Sequence, residues 1–154
     1  MASTSYYALL RCFDNVMSRI LGIDPGTRRC GIAITDSAQT MAFPREALAS
    51  GDRLVTALSE LIDQESIGSL VIGRPVALSG NETSSTRLAD ELYKMLREHL
   101  GQLPIIQWDE RLTTHQAQRA LTEAGKNSKQ YRANVDSAAA VIMLQNYLDG
   151  QRVD

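Results

Sequence analysis

Cysteine is scarce in this sequence and poorly spaced for chemistry. Cys12 and Cys30 are the two in 154 residues, they follow no metal-ligand spacing, and they allow at most one bridge. Such usage points to a reducing compartment, so a cytoplasmic protein is expected. Long apolar runs are missing as well, which excludes a membrane span. The stretch from Met1 to Asp14 has neither the basic region nor the apolar length of an export signal. An excess of positive charge is also lacking: 16 Lys and Arg stand against 18 Asp and Glu, for a formal net charge of -2. Any contact with nucleic acid must therefore come from a local basic patch. There is no internal repeat and no glycine-rich G-x-x-x-x-G-K-[ST] loop. His99 and His115 lack the companions of a Ser-His-acid or Cys-His set.

What the chain does have is 44% hydrophobic residues, enough for one domain with a core of its own and too few residues for a second catalytic lobe. The first clear strand begins only after Met17, so residues 1–16 are expected to be an extension, disordered, ahead of a single domain over 17–154.

Along that domain, Ser18 to Asp24 reads as a strand, Pro25 to Arg29 as a turn, and Cys30 to Thr35 as the returning strand of a hairpin. Thr40 to Leu48 is a third strand that Pro44 restricts to an edge or a terminus. From Asp52, the positions Leu54, Val55, Leu58, Leu61 and Ile62 keep the helical period up to a stop near Gly68, and Ser69 to Gly73 follows as a buried strand. Arg74 to Thr86 has loop composition. Leu88, Leu92, Met95 and Leu96 then mark a second amphipathic helix, with His99 at its end near Gly101, and Leu103 to Trp108 a fifth strand. Thr113 and Gln116 form a capping-box pattern for a helix that Gly125 stops. Asn134 caps a last helix, with Val135, Ala138, Ala139, Ile142 and Met143 on one face. The order βββ-α-β-α-β-α-α predicts an α/β domain with a five-stranded mixed sheet flanked by helices.

Three acids fall at informative places. Asp24 ends the first strand, on the face shared by Ile20 and Gly22; Glu110 follows the fifth strand; Asp136 sits in the first turn of the last helix. Each also has a reading that needs no function. Asp24 can serve turn hydrogen bonds, Glu110 can pair with Arg111 on the surface, and Asp136 can complement a helix dipole. The small residues Ser137, Ala138, Ala139 and Ala140 would let the last helix approach the sheet and carry Asp136 toward Asp24. If the three converge, repulsion between carboxylates about 4 Å apart is on the order of 4 kcal/mol at an effective dielectric of 20, so the cluster calls for cations or protons. Oxygen-rich sites of this kind suit Mg²⁺ or Mn²⁺ and the hydrolysis of a phosphodiester.

For the nucleic-acid contact, Arg119, Lys126, Lys129 and Arg132 bracket Tyr131 on the way to Asp136. Cations around an aromatic suit a phosphate backbone and an unstacked base, and a solvated loop is the alternative. Arg111 beside Glu110 and Arg74 in the long loop complete the candidate contacts.

With these residues in place, the chain from about Ser18 to Asp149 resembles the YqgF family, also called RuvX, which is related to RuvC resolvases. The resemblance rests on Gly22-Ile23-Asp24-Pro25-Gly26-Thr27 followed by Gly31-Ile32-Ala33, on Val71-Ile72-Gly73-Arg74-Pro75 with Gly80, on Asp109-Glu110-Arg111-Leu112-Thr113-Thr114, and on Asp136-Ser137-Ala138-Ala139-Ala140 with Leu144-Gln145-Asn146-Tyr147-Leu148. It implies an RNase H-like fold and a nuclease with Asp24, Glu110 and Asp136 as catalytic and metal-binding residues. It also implies a role in 5′-end maturation of pre-16S rRNA on ribosomal particles, or resolution of branched DNA such as Holliday junctions. The chain departs from the usual family pattern at Arg74, where an apolar residue is common, and at Ser79, where an acid or amide is frequent. Two other readings compete: a phosphotransferase of the actin and sugar-kinase class, for which the chain lacks a second lobe, and a non-catalytic RNA-binding module of ribosome assembly.

Overall fold

The computed structural model describes residues 18–77, 79–110 and 137–151. The expected extension over 1–16, the helix expected after Thr113, the basic loop with Tyr131, and the Asn134 cap lie outside these residues. Within them the order is β1 (Arg19–Asp24), β2 (Arg29–Thr35), β3 (Ala42–Ala49), α1 (Leu54–Gln64), β4 (Ile67–Arg74), α2 (Ser84–Leu100), β5 (Ile105–Asp109) and α3 (Ala138–Gln151). The strands form one mixed sheet in the order β3-β2-β1-β4-β5. Its first three strands are antiparallel neighbours, and β4 and β5 join β1 in parallel, each reached through a helical connection. β3 is an edge strand, as Pro44 demands.

Strict alternation along the strands divides the core in two. Leu21, Ile23, Ile32, Ile34, Leu70, Ile72 and Ile105 face α1 and α2, where Leu54, Leu58, Ile62, Leu92 and Leu96 meet them. Ile20, Ala33 and Val71 face the other way, against Ala140, Val141, Met143, Leu144 and Leu148 of α3. Burial on both faces is what makes β1 and β4 read as nearly continuous apolar runs.

Close approach of α3 depends on the sheet as much as on the helix. A Cβ on Gly22 would lie 3.0 Å from Leu144 Cβ and 3.3 Å from Met143 Cε. The start of α3 is fastened by Ser137, which is fully buried. Between Cys30 and Ile32 the β2–β3 register slips by one residue, and the Ser137 hydroxyl accepts from Ile32 N at 3.0 Å and donates to Arg45 O at 2.6 Å. One hydroxyl thus satisfies two backbone groups at a bulge. Two turns later, Gln145 accepts from Ala42 N at 3.0 Å and donates to Thr40 O at 3.3 Å, closing off the start of β3.

Three expectations need correction. α1 stops at Gln64, and the left-handed residue beyond it is Ser66 (φ 54°), so Gly68 is no helix stop but a buried residue of β4. The loop before α2 is shorter than its composition suggests. Thr83 and Thr86 form a capping box that starts the helix at Ser84, and Thr86 is buried with its hydroxyl on Pro75 O. The buried face of α3 runs through Ala140, Met143, Leu144 and Leu148, while Ala139 is exposed and Ile142 half-buried. Anchoring at Ser137 rotates the helix away from the face chosen by hydrophobicity alone. No helix among the described residues is long and apolar enough to cross a membrane.

The Gly22 contact is testable. Gly22→Ala inserts a methyl group between β1 and α3 and should destabilise the protein by about 1–3 kcal/mol, the usual range for overpacking. Urea denaturation should show a lower midpoint with an unchanged slope.

Candidate active site

Asp24 and Glu110 stand at the carboxyl ends of β1 and β5, two strands that are not neighbours. Adjacent strands lie about 4.8 Å apart, so roughly 10 Å separates the two backbones, with β4 between them. Alternation sends Asp24, Gly73 and Glu110 to the α3 side, since Leu70 and Ile72 on β4 and Ile105 on β5 point to the other face. The carboxylates meet across the intervening strand because position 73 has no side chain. A Cβ there would collide with Glu110 Oε1 and would lie 3.1 Å from Met143 Cγ. Glu110 is held in line by its own backbone N–H, which donates to Arg74 O at 3.2 Å and prolongs the β4–β5 ladder by one bond.

The two side chains are hydrogen-bonded to each other, which requires a proton between them. Burial pushes the Glu110 carboxyl up from 4.5 to about 7, with the Asp24 charge, the Asp24 hydrogen bond and the Asp109 charge adding to it. Burial also raises Asp24, against a lowering by the bond from Glu110. Such a pair is short of positive charge. Its donors are hard oxygens, the set preferred by Mg²⁺ and Mn²⁺, so the residues fit a divalent cation in place of the shared proton. Among the described residues no group of three or more His, Cys, Asp or Glu side chains forms a metal cluster. Asp136, the third acid expected, lies outside them, as do Arg111, Arg119, Lys126, Lys129, Tyr131 and Arg132.

Arg74 takes a different place from that of a phosphate contact. It alternates with Gly73 onto the α2 side of the sheet. There its guanidinium grips Asp90 through Nε at 2.9 Å and Nη2 at 3.2 Å, and reaches Glu82 at 3.2 Å. Gln107 on β5 also donates to Asp90, at 2.9 Å. Arg74 first and Gln107 second hold the Asp90 carboxyl below its usual range. Two residues that shape the site, Gly73 and Ser137, were not among the candidate site residues. A glycine ending an apolar strand was the available signal for the first, and a small hydroxyl residue next to an acid for the second.

A mixed sheet of order β3-β2-β1-β4-β5, covered by helices and carrying acids at the ends of β1 and β5, defines an RNase H-like domain. The model of the RuvX family, described as "Holliday junction resolvase", matches residues 18–150, and the chain belongs to that family. It is 42% identical to a protein of Ruminiclostridium cellulolyticum over 85% of this chain and 94% of the relative. It is 40% identical to one of Corynebacterium jeikeium over 90% and 91%, and both relatives carry the name "Putative pre-16S rRNA nuclease". In fold it is similar to RuvC of Thermus thermophilus in complex with a Holliday junction substrate, with a TM-score of 0.53 at 14% identity over 87% of this chain and 95% of that one. It is likewise similar to the Fowlpox virus resolvase in complex with Holliday junction DNA, at 0.54 and 8% identity over 88% and 99%.

The paired proton gives a stability signature. In EDTA the folded chain keeps the Glu110 proton up to about pH 7, whereas an unfolded chain releases it near 4.5. Stability should therefore fall as pH rises through that window and level off above it. Glu110→Gln should flatten this slope. Gly73→Ala should flatten it too, by driving the carboxylate out of its place, and thermal melts at half-unit pH steps would show an unchanged slope if the pairing across Gly73 were absent.

Proposed function

We propose that this chain is a metal-dependent nuclease that hydrolyses phosphodiester bonds of RNA in the maturation of the 5′ end of pre-16S rRNA, with Asp24, Glu110 and Asp136 as its site. The observation that carries this reading is the meeting of Asp24 and Glu110 over Gly73. A structural turn aspartate has no reason to be driven against a second half-buried carboxyl, and a surface acid paired with Arg111 would not need a glycine cradle. Asp136 is one peptide bond from Ser137, whose hydroxyl is fastened to β2 and β3, and this supports its assignment as the third acid.

Asp24, Glu110 and Asp136 would hold the ion, which is Mg²⁺ or Mn²⁺ on the chemistry of the donors. When bound, such an ion activates water and stabilises charge on the leaving oxygen of a phosphodiester. The chain's own part is to hold the carboxylates rigidly at strand ends and to keep them partly withdrawn from water by packing α3 beneath them. The domain acts in the cytoplasm, in keeping with its scarce and poorly spaced cysteines, and on the precursor RNA that the names of its relatives give. Precursor rRNA is preferred over branched DNA because those relatives match nearly their whole length at about 40% identity. The resolvase structures share 14% identity or less and speak for the fold alone.

The test sets a labelled precursor-rRNA fragment beside a four-way DNA junction, with Mn²⁺ and with EDTA. Wild type should cut the RNA only with metal, and Asp24→Asn should lower that rate by orders of magnitude. Without substrate, Mn²⁺ should raise the melting temperature of wild type and raise that of Asp24→Asn much less. Equal shifts would remove Asp24 from the ligand set, and cleavage of the junction alone would replace the RNA reading with a resolvase.

A further inference from the structure

Beside the acid pair lies a cleft of about 380 Å³ whose walls include Asp24, Thr27, Arg28 and Arg29. Both arginines are exposed, at the tip of the β1–β2 hairpin. Neither belongs to the basic groups that the sequence brought forward.

Hairpin tips are commonly loose, but this one is clamped. Ser50, just past β3, donates its backbone N–H to Arg28 O at 2.9 Å and its hydroxyl to Gly26 O at 2.7 Å, and the buried Cys30 thiol lies 3.5 Å from that hydroxyl. Gly26 admits no side chain, because a Cβ would run into the Arg29 carbonyl. The backbone of the tip is therefore fixed relative to Asp24. Three arginines elsewhere on the domain are tied to carboxylates: Arg19 and Arg45 to Glu65, and Arg74 to Asp90 and Glu82. Among the described residues the Arg28 guanidinium has no such partner, although it borders the cleft that holds Asp24.

We infer that Arg28 is a phosphate-binding residue that grips the RNA backbone next to the bond being cut, with Ser50 as the residue that positions it. This rests on the nuclease reading above. An unpaired guanidinium on a rigid turn presents its planar fork for bidentate contact with a phosphate, at little cost in ordering. The carboxylates repel a polyanion, so a cation at the rim of the cleft that Asp24 lines supplies the attraction that the net charge of -2 does not. The contact reads backbone and not base, so it is independent of sequence.

The experiment measures binding of a labelled single-stranded RNA in EDTA across a salt series, apart from any cleavage. Arg28→Gln should reduce the log–log salt slope by about 0.7, the share of one phosphate on a single strand, and Arg28→Lys should keep it. Arg97→Gln, on the exposed side of α2, should leave the slope unchanged. In cleavage with Mn²⁺, Arg28→Gln should raise KM on the order of tenfold with kcat little altered, the pattern of lost uniform binding. Ser50→Ala should show the same split more weakly while its melting temperature stays within a few degrees of wild type. An unchanged slope in Arg28→Gln, an equal loss in Arg97→Gln, or failure of wild type to bind RNA would each overturn the inference. A reduced slope in a protein that cuts no RNA would uphold it and overturn the nuclease reading instead.

Discussion

Two carboxylates on strands that are not neighbours can meet only if the strand between them offers nothing at the point of crossing. In this domain that condition is met by Gly73, and much of the architecture on the α3 side follows from it. The same missing side chain leaves room for Met143, so the helix that closes this face rests on the backbone of β4 near the acid pair. Gly22 repeats the device one strand away, under Leu144. A face lined with side chains at those two positions would lift α3 off the sheet and open the carboxylates to water. Their shift toward the protonated form arises first from burial, so it would be lost with that separation.

Anchoring α3 at its start completes the constraint. A bulge in the β2–β3 pairing releases one N–H and one carbonyl, and Ser137 takes both with a single hydroxyl. The hydrogen bonds set where the helix begins and which side turns inward. Packing then follows: Ala140 and Leu144 lie a turn and two turns beyond Ser137, and both are fully buried. Direction is set by polar bonds and affinity by apolar area, a division of labour common where a helix has apolar residues on more than one side.

The parts of this structure that local chemistry decides were legible in the sequence. The strand order along the chain, the edge position required by Pro44, and the placing of Asp24 and Glu110 at strand ends follow from periodicity and backbone restriction. The parts decided by tertiary contact were not. Gly68 looked like a helix stop because glycine commonly is one, yet Ser66 adopts the left-handed turn and Gly68 is buried in the sheet. The inward face of α3 could not be read from Ala138, Ala139 and Ile142, since the bond that orients the helix joins residues more than a hundred positions apart. The role of Gly73 was hidden for a similar reason: its value lies in what Glu110, on another strand, does with the space.

Arg74 shows how alternation along a strand keeps two charge systems apart. It is adjacent in sequence to Gly73, over which the two acids meet. The pleat sends it to the opposite face, where Asp90 on α2 receives both its guanidinium and the Gln107 amide of β5. The arginine therefore neither neutralises the acid pair nor competes with a cation for it. Its effect is mechanical. By sharing Asp90 with Gln107 it ties the ends of β4 and β5 to one carboxylate, at the register where Arg74 faces Asp109. Glu110 is the next residue, and its N–H rests on the Arg74 carbonyl. A charge cluster on the far side of the sheet thus fixes the strand ends from which Glu110 reaches over Gly73, and Arg74 braces the site from the opposite face.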